Sequence, residues 1–317
     1  MRFLIVVLPL FFASFANAQK TDSSLSYSKF KYEELKNIQQ KVFYSKKEQE
    51  RLEANKEFIK LIESVAANKN ALQFPFDSLK EISSLSPKNK KFKLITWNIP
   101  KDDQTHLFFG FLLVNNSITK KTGLFKKQTT EQYEYYKLVD KSAGIKNPET
   151  YIGTCDKWFG MLYYELIEND GYFTLLGWDG NDKLIQRKFI DVLYFKPDGT
   201  PVFGKDEFKF PRKNPRRIMF EYSSEVTMSL KYHNKKNAII YSHLAPREEG
   251  DIMNGLPQYY GPDGSYDAMV QKKGKWIIIE DVDAQNDKNK NDSNWNNPLN
   301  PKKIKHKKTL PANQTKN

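Results

Sequence analysis

Apolar positions between residues 30 and 66 recur at intervals of three and four. Phe30, Tyr32, Leu35, Ile38 and Val42 set a loose helical period, preceded by a polar stretch at 19–27 that is expected to fray. Ser45 and Glu48 stand three residues apart. That is the spacing of a capping box, in which hydroxyl and carboxylate each satisfy a backbone amide at a helix start. Phe58, Ile59, Ile62, Val65 and Ala66 then share one stripe, with Lys, Glu and Asn opposite. A short third helix is expected with Asp77 as N-cap and Leu79, Ile82 and Leu85 as its face, ended by Ser86-Pro87.

From Lys91 the period shortens to that of strands. Val226, Met228, Leu230 and Tyr232 alternate with Thr227, Ser229 and Lys231, the pattern of a half-buried strand. The runs Leu107–Val114, Met161–Ile167, Tyr172–Leu176 and Trp276–Ile279 are apolar on both faces and read as central strands. Asn169-Asp170-Gly171, Pro197-Asp198-Gly199 and Lys273-Gly274 supply tight turns between such runs. Pro87-Lys88-Asn89 and Pro262-Asp263-Gly264 resemble the second of these, but no regular blade period separates the three, which argues against a propeller. About eleven strands are expected between 91 and 281. Helical patterns do not intervene, so the fold class is mainly β, an antiparallel meander, sandwich or barrel, with an α-helical N-terminal segment.

The N-terminus changes the picture. Arg2, the apolar run Phe3–Phe15 and Ala16-Asn17-Ala18 make a secretory signal peptide, with cleavage expected between Ala18 and Gln19. The run is short for a membrane span, and no later segment is long and apolar enough for one. Cys155, the only cysteine, excludes an intrachain disulfide and lies far from the cleavage site, so a lipoprotein anchor is not expected. The expected organisation is therefore a signal peptide at 1–18, a helical segment at 19–86, an antiparallel β domain at 87–286 and a tail at 287–317. The net charge of the 317-residue chain is +13. The tail carries eight lysines against Asp287 and Asp292, with few apolar residues, and is expected to be disordered and basic.

The β part resembles a family of uncharacterised exported β-rich proteins of Bacteroidetes-type bacteria. The residues that carry the resemblance are Leu175-Leu176-Gly177-Trp178-Asp179-Gly180-Asn181, Arg217-Ile218-Met219-Phe220-Glu221-Tyr222 and Ser242-His243-Leu244-Ala245-Pro246. Tyr260-Gly261-Pro262-Asp263-Gly264-Ser265-Tyr266-Asp267, Gly274-Lys275-Trp276 and Glu280-Asp281-Val282-Asp283 extend it over most of residues 76–286. The resemblance implies export and no particular reaction.

The chemistry-bearing residues are sparse. Of the four histidines, His106, His233, His243 and His306, none stands in a catalytic motif. Cys155 in Gly153-Thr154-Cys155-Asp156 has no sequence sign of activation and reads as an inert, partly buried thiol. His243, between Tyr241 and Leu244, reads as a hydrogen-bonded structural histidine. No nucleophile elbow, zinc motif or phosphate-binding loop is present. Calcium is the better-supported ion. Asp179 and Asn181, Asp263 and Asp267, and Asp281 and Asp283 cluster hard oxygens near turns, without EF-hand spacing. The same residue types favour turns for backbone reasons alone. Glu165, Asp191, Glu221 and Glu280 in or beside strands are the carboxylates from which a glycosidase pair would be drawn.

The basic run Lys209–Arg217 reads as a solvated edge or loop, whereas the tail is a candidate to bind envelope polysaccharide or another polyanion. Export disfavours nucleic acid as a partner. These features point to an exported cell-envelope protein, periplasmic, outer-membrane-associated or extracellular, that uses a non-enzymatic β scaffold for binding or structure. The alternative is a secreted hydrolase acting on glycans, calcium-assisted. A flat aromatic face would favour binding, and a cleft with two facing carboxylates would favour hydrolysis.

Overall fold

A computed structural model describes residues 12–116, 118–121, 127–130, 132–210, 214–248 and 253–283. Residues 1–11 of the expected signal peptide and all of the expected basic tail lie outside the described residues. Two helices, α1 (Phe12–Tyr44) and α2 (Glu48–Ala66), open the chain. The strands follow as β1 (Ser83–Leu85), β2 (Phe92–Pro100), β3 (His106–Asn115), β4 (Ile118–Lys121), β5 (Lys127–Thr130), β6 (Tyr133–Val139), β7 (Gly153–Thr154), β8 (Leu162–Asn169) and β9 (Tyr172–Asp179). Next come β10 (Ile185–Phe195), β11 (Pro201–Phe203), β12 (Phe208–Lys209), β13 (Ile218–Ser223), β14 (Leu230–His233), β15 (Ala238–Pro246), β16 (Tyr260–Lys272) and β17 (Lys275–Ile279). The protein is mainly β, as its alternation predicts. No helix among the described residues is long and apolar enough to cross a membrane.

The chain divides into two compact units. The first holds the described residues up to Ile82 together with those of Leu113–Tyr135. In it, Leu35, Ile38 and Val42 of α1 and Phe58, Ile62, Val65 and Ala66 of α2 are buried, the stripes that helical spacing predicts. Phe43 meets Phe58 edge to face at 6.1 Å. Phe30, expected on the buried stripe, is instead 61% exposed.

Three local expectations are corrected here. The 19–27 stretch is helical, because α1 runs unbroken through it. Ser45 does not cap α2: the helix starts at Glu48 with Lys47 in the capping position and no side-chain cap. The Arg51 guanidinium donates to the carbonyls of Ser45 and Lys46, at 3.1 and 2.9 Å, and holds the connection from within the helix. The third helix is absent. Asp77 lies inside a 3-10 turn at Phe76–Ser78, and Ser83–Leu85 forms β1 on the edge of β2. Three residues of ladder hydrogen bonds thus replace a helix too short to sustain its own nucleus.

The second unit holds Ser83–Leu112 and the described residues from Tyr136 onward. Its central sheet has the order β7-β11-β10-β9-β8, with β13 pairing the free part of β10. A five-stranded sheet, β12-β17-β16-β15-β14, covers one face. Ile167, Leu176, Ile190, Val192, Ile218 and Tyr222 of the central sheet pack there against Met228, Leu230, Ile239, Tyr241, Met269 and Trp276. Burying each such side chain contributes about 1.5–3 kcal/mol, so this sandwich interface is a large stabiliser of the unit. The opposite face meets the β1-β2-β3-β6 sheet. There Phe92 contacts Phe173 at 4.8 Å and Phe195 at 5.5 Å, and Thr96 Oγ1 accepts the Tyr163 amide.

The expected central strands form β3, β8, β9 and β17, and the turns at 169–171, 197–199 and 273–274 join consecutive strands. Lys273 and Gly274 take φ of 51° and 77°, the left-handed pair that a two-residue hairpin needs. Sixteen described strands, not about eleven, follow residue 91, because several ladders are only two to four residues long. The strand expected over 226–232 is confined to β14. The Val226 amide closes a turn onto Ser223, and the Ser229 amide is taken by the Ser242 hydroxyl. Pro262-Asp263-Gly264 is not a chain reversal but lies within β16, opposite the irregularity between Ser242 and Leu244 in β15. Among the described residues, β12 runs parallel to β17 over two residues, and an isolated parallel bridge joins Asp140 to Trp158.

Candidate functional site

Alternation along the central sheet sorts its polar residues between two faces. Register places Lys188 opposite both Trp178 and Phe220, and Gln186 opposite Tyr222. These residues share the face of Ile190 and Val192, but sit where the sandwich core opens. Tyr164 and Glu165 enter at the register irregularity of β8, between Tyr163 and Glu165. Thr227, Leu230 and Lys231 of the covering sheet and its lead-in complete a groove of about 530 Å³.

The groove is built from half-exposed aromatics and oriented polar groups. The Tyr164 hydroxyl donates to the Leu230 carbonyl at 3.0 Å, and Lys188 Nζ lies 5.4 Å from the centre of the Tyr164 ring. Gln186 Oε1 accepts from both Trp178 Nε1 and the buried Tyr222 hydroxyl, each at 3.3 Å. Two donors on the oxygen fix the amide plane and leave the amide nitrogen for a ligand. Glu165 Oε2 accepts the Tyr232 amide at 3.0 Å. Burial raises the Glu165 pKa, opposed by that amide and by Lys231, and burial lowers the Lys188 pKa, with Lys231 adding to the effect. Both charges are thus held where solvent screens them poorly.

Trp178 is backed by a second set of residues. The His106 ring meets it edge to face at 5.1 Å, and His106 Nδ1 lies 2.8 Å from Asn98 Nδ2. Burial lowers the His106 pKa, so the neutral ring accepts the Asn98 amide proton at Nδ1. Gly180 is required beside it: a Cβ there would stand 2.2 Å from His106 Nε2.

The other face of the same strands carries a buried network. Asp191 and Arg217 are both fully buried, with Arg217 Nε donating to Asp191 Oδ1 at 3.0 Å. The Tyr163 hydroxyl donates to Asp191 Oδ2 at 2.7 Å and receives the Trp158 indole N–H at 3.2 Å. The Val192 amide donates to Asp191 Oδ1 and Arg217 Nη1 donates to the Pro148 carbonyl, while Arg217 Nη2 is buried without a hydrogen-bond partner. Gly204, at φ 87°, passes so close that a Cβ would lie 2.5 Å from the Tyr151 carbonyl oxygen.

The four carboxylates considered for a glycosidase pair are distributed among separate surroundings. Glu165 lines the groove and Asp191 holds Arg217. Glu221 accepts from Arg187 Nε at 2.8 Å on the opposite face, and Glu280 is exposed after β17.

The calcium candidates fall into two places. Asp179 Oδ1 caps the Asn181 amide at 2.7 Å, and Asn181, at φ 50°, donates its side-chain amide to Asp182. Burial raises the Asp179 carboxyl to about 6, against the pull of Asn181 and Arg187, with Asp140 and Asp182 adding to the rise. Asp263, Asp267 and Asp281 gather around the β15 irregularity. Asp267 accepts the Asp281 amide at 3.0 Å and lies 2.9 Å from His243 Nδ1, and Asp263 accepts the amide and hydroxyl of Ser265. The hydrogen bond to Asp267 raises the His243 pKa, so the histidine is the hydrogen-bonded residue its neighbours suggested. Asp283 is half-buried just beyond. Among the described residues no three of His, Cys, Asp and Glu are grouped so as to hold a metal ion. Most of these carboxylates cap backbone amides, the turn chemistry of Asp.

Cys155 is buried, and burial with Asp156 nearby pushes its thiol up to about 12, far from a nucleophile's range. Sequence reasoning missed Tyr164, Trp178, Gln186, Lys188 and Lys231 as a group. Only the Trp178-Asp179-Gly180 turn drew notice, and no local spacing signals five residues from four strands. No family model matches the chain, and no curated protein and no solved structure shows significant similarity to it.

Proposed function

We propose that the chain is an exported envelope protein that binds rather than catalyses, and that the groove at the mouth of the sandwich holds a carbohydrate. The observation that carries this reading is the pairing of two half-exposed aromatic rings, Tyr164 and Trp178, with an oriented amide, a carboxylate and two ammonium groups in one concavity. A pyranose offers an apolar C–H face bordered by hydroxyls. Flat rings take the face, and fixed donors and acceptors take the rim. The groove volume falls in the range of small-ligand sites. Glu165 is the one carboxylate among its described lining residues, whereas glycoside hydrolysis needs two flanking the bond. The signal-peptide pattern and the family resemblance support export.

Titration of the full chain with neutral and acidic oligosaccharides, read by isothermal titration calorimetry, tests the proposal. Saturable binding is expected, weakened about tenfold or more by Trp178→Ala, the order of one lost aromatic contact in a binding site. Absence of saturation across the panel, or binding indifferent to Trp178, overturns it.

A further inference from the structure

A second concavity lies on the covering sheet, away from the carbohydrate groove. It has a volume of about 1080 Å³ and is lined by Lys209, Phe210, Lys272, Lys273, Lys275, Ile277–Ile279 and Glu280. Two β features assemble it. The β16–β17 hairpin brings Lys272 and Lys273 to its tip, and the two-residue parallel pairing of β12 sets Lys209 beside Ile277. Ile277 and Ile279 are only partly buried on the outer face of the covering sheet, whereas Ile278 and Phe210 pack on the cluster between the sheets.

The lysines are not equivalent. Lys275 is tied to Glu207 at 3.2 Å and to the Asp206 carbonyl, so it braces the wall. Lys209, Lys272 and Lys273 are exposed, and among the described residues none of the three has a carboxylate partner. Glu280 is the one acid among the described lining residues. An apolar strip rimmed by three uncommitted ammonium groups complements a molecule with an apolar body and an anionic head. A polysaccharide or a bare phosphate would use the lysines but gain nothing from the isoleucines. The chain's own C-terminal segment, itself rich in lysine, is repelled by this rim.

We propose that this concavity binds an acyl lipid bearing an anionic phosphate headgroup, with Lys209, Lys272 and Lys273 on the phosphate and Ile277 and Ile279 against the chain. Lysines at such a boundary lay their methylene stems on apolar surface and keep their charge at the polar level.

The test uses the full chain and vesicles of phosphatidylcholine with or without about one-third phosphatidylglycerol. Co-sedimentation is expected only with the anionic vesicles. Lys209→Gln, Lys272→Gln and Lys273→Asn together should weaken it about tenfold or more, while the same charge removal at Lys47, Lys56 and Lys60 should change it less than about twofold. Asn is used at 273 because the residue sits at φ 51°. A short-chain phosphatidylglycerol should compete, and glycerol phosphate and dextran sulfate should not. Equal losses in the two triple variants, competition by glycerol phosphate matching that of the lipid, or competition by dextran sulfate alone overturns the proposal. All three rim lysines are exposed, so the melting temperature should hold. If the triple variant does not fold, Lys209→Gln with Lys272→Gln is read by the same criteria. Trp178→Ala should leave vesicle binding unchanged, which keeps this proposal separate from the carbohydrate reading.

Discussion

Strand β10 makes two different environments from alternate residues. Gln186 and Lys188 face the mouth of the sandwich, where each keeps a polar group uncommitted to the protein or held over an aromatic ring. Arg187 and Asp191 point the other way, where Arg187 pairs with Glu221 and Asp191 is enclosed by Arg217, Tyr163 and its neighbour's amide. The closed face spends its polar groups on itself, Arg217 Nη2 excepted, because an unpartnered charge there would face a large desolvation cost. The open face carries the same kinds of residue with capacity left over. Burial of the partners, more than the identity of the residue, therefore separates a structural carboxylate such as Asp191 from a ligand-facing one such as Glu165.

Breaking the closed side should have the largest effect. Asp191→Ala strands Arg217 in a fully buried site and should cost about 3–5 kcal/mol of stability, measured by urea unfolding. Oligosaccharide affinity of the folded fraction should be unchanged. A cost below about 1 kcal/mol would mean that the network is not sealed from water.

The next effect is pH-dependent and belongs to Asp179 at the border of the two faces. Its folded carboxyl titrates near 6, above the usual value of 3.8, so the folded state holds a proton that the unfolded state releases. Stability must then fall as pH rises from about 4 to 6. Asp179→Asn keeps the acceptor for the Asn181 amide and removes the charge. Between pH 4 and pH 7 the variant should gain on the order of 3 kcal/mol over the parent, a figure that already includes the Arg187 attraction. Parallel pH profiles for the two proteins would contradict the assignment.

On the open side the expected change is in affinity rather than stability. Gln186→Leu leaves the Trp178 and Tyr222 donors without their acceptor and should weaken oligosaccharide binding about tenfold, with a stability loss of about 1–2 kcal/mol. Fluorescence titration beside thermal melting separates the two effects. The smallest change is expected at Cys155, where Ser should alter stability by no more than about 1–2 kcal/mol and leave binding intact. Loss of binding in a folded Cys155→Ser protein would move the functional centre away from the groove.

Much of the secondary structure was legible because its causes are local. The stripe of α2, the strands at 162–169 and 172–179 and the turns at Asp170-Gly171 and Lys273-Gly274 follow from spacing and from the φ values those glycines permit. Short-range competition limited the rest. Ser45 had the right neighbour for a cap but lies two residues ahead of Lys47, which takes the capping position, and Leu79–Leu85 had a helical face but found a sheet edge. The candidate site was hardly legible. Its aromatics Tyr164 and Trp178 are ordinary strand residues in the sequence, and Asp179, beside Trp178, drew attention as a calcium ligand when its oxygen caps a turn.

By itself the sequence determined a mainly β chain with two N-terminal amphipathic helices and hairpins at its Gly-containing turns, since periodicity and backbone freedom act over a few residues. Tertiary structure alone decided which alternate residues of β10 are sealed and which are open. It also decided that Tyr164 and Glu165 meet Leu230 and Tyr232 across 66 and 67 residues of chain. Two sheets had to pack face to face before those positions shared a groove, and the energy that aligns them comes from the apolar residues of both sheets together, which no short stretch of sequence contains.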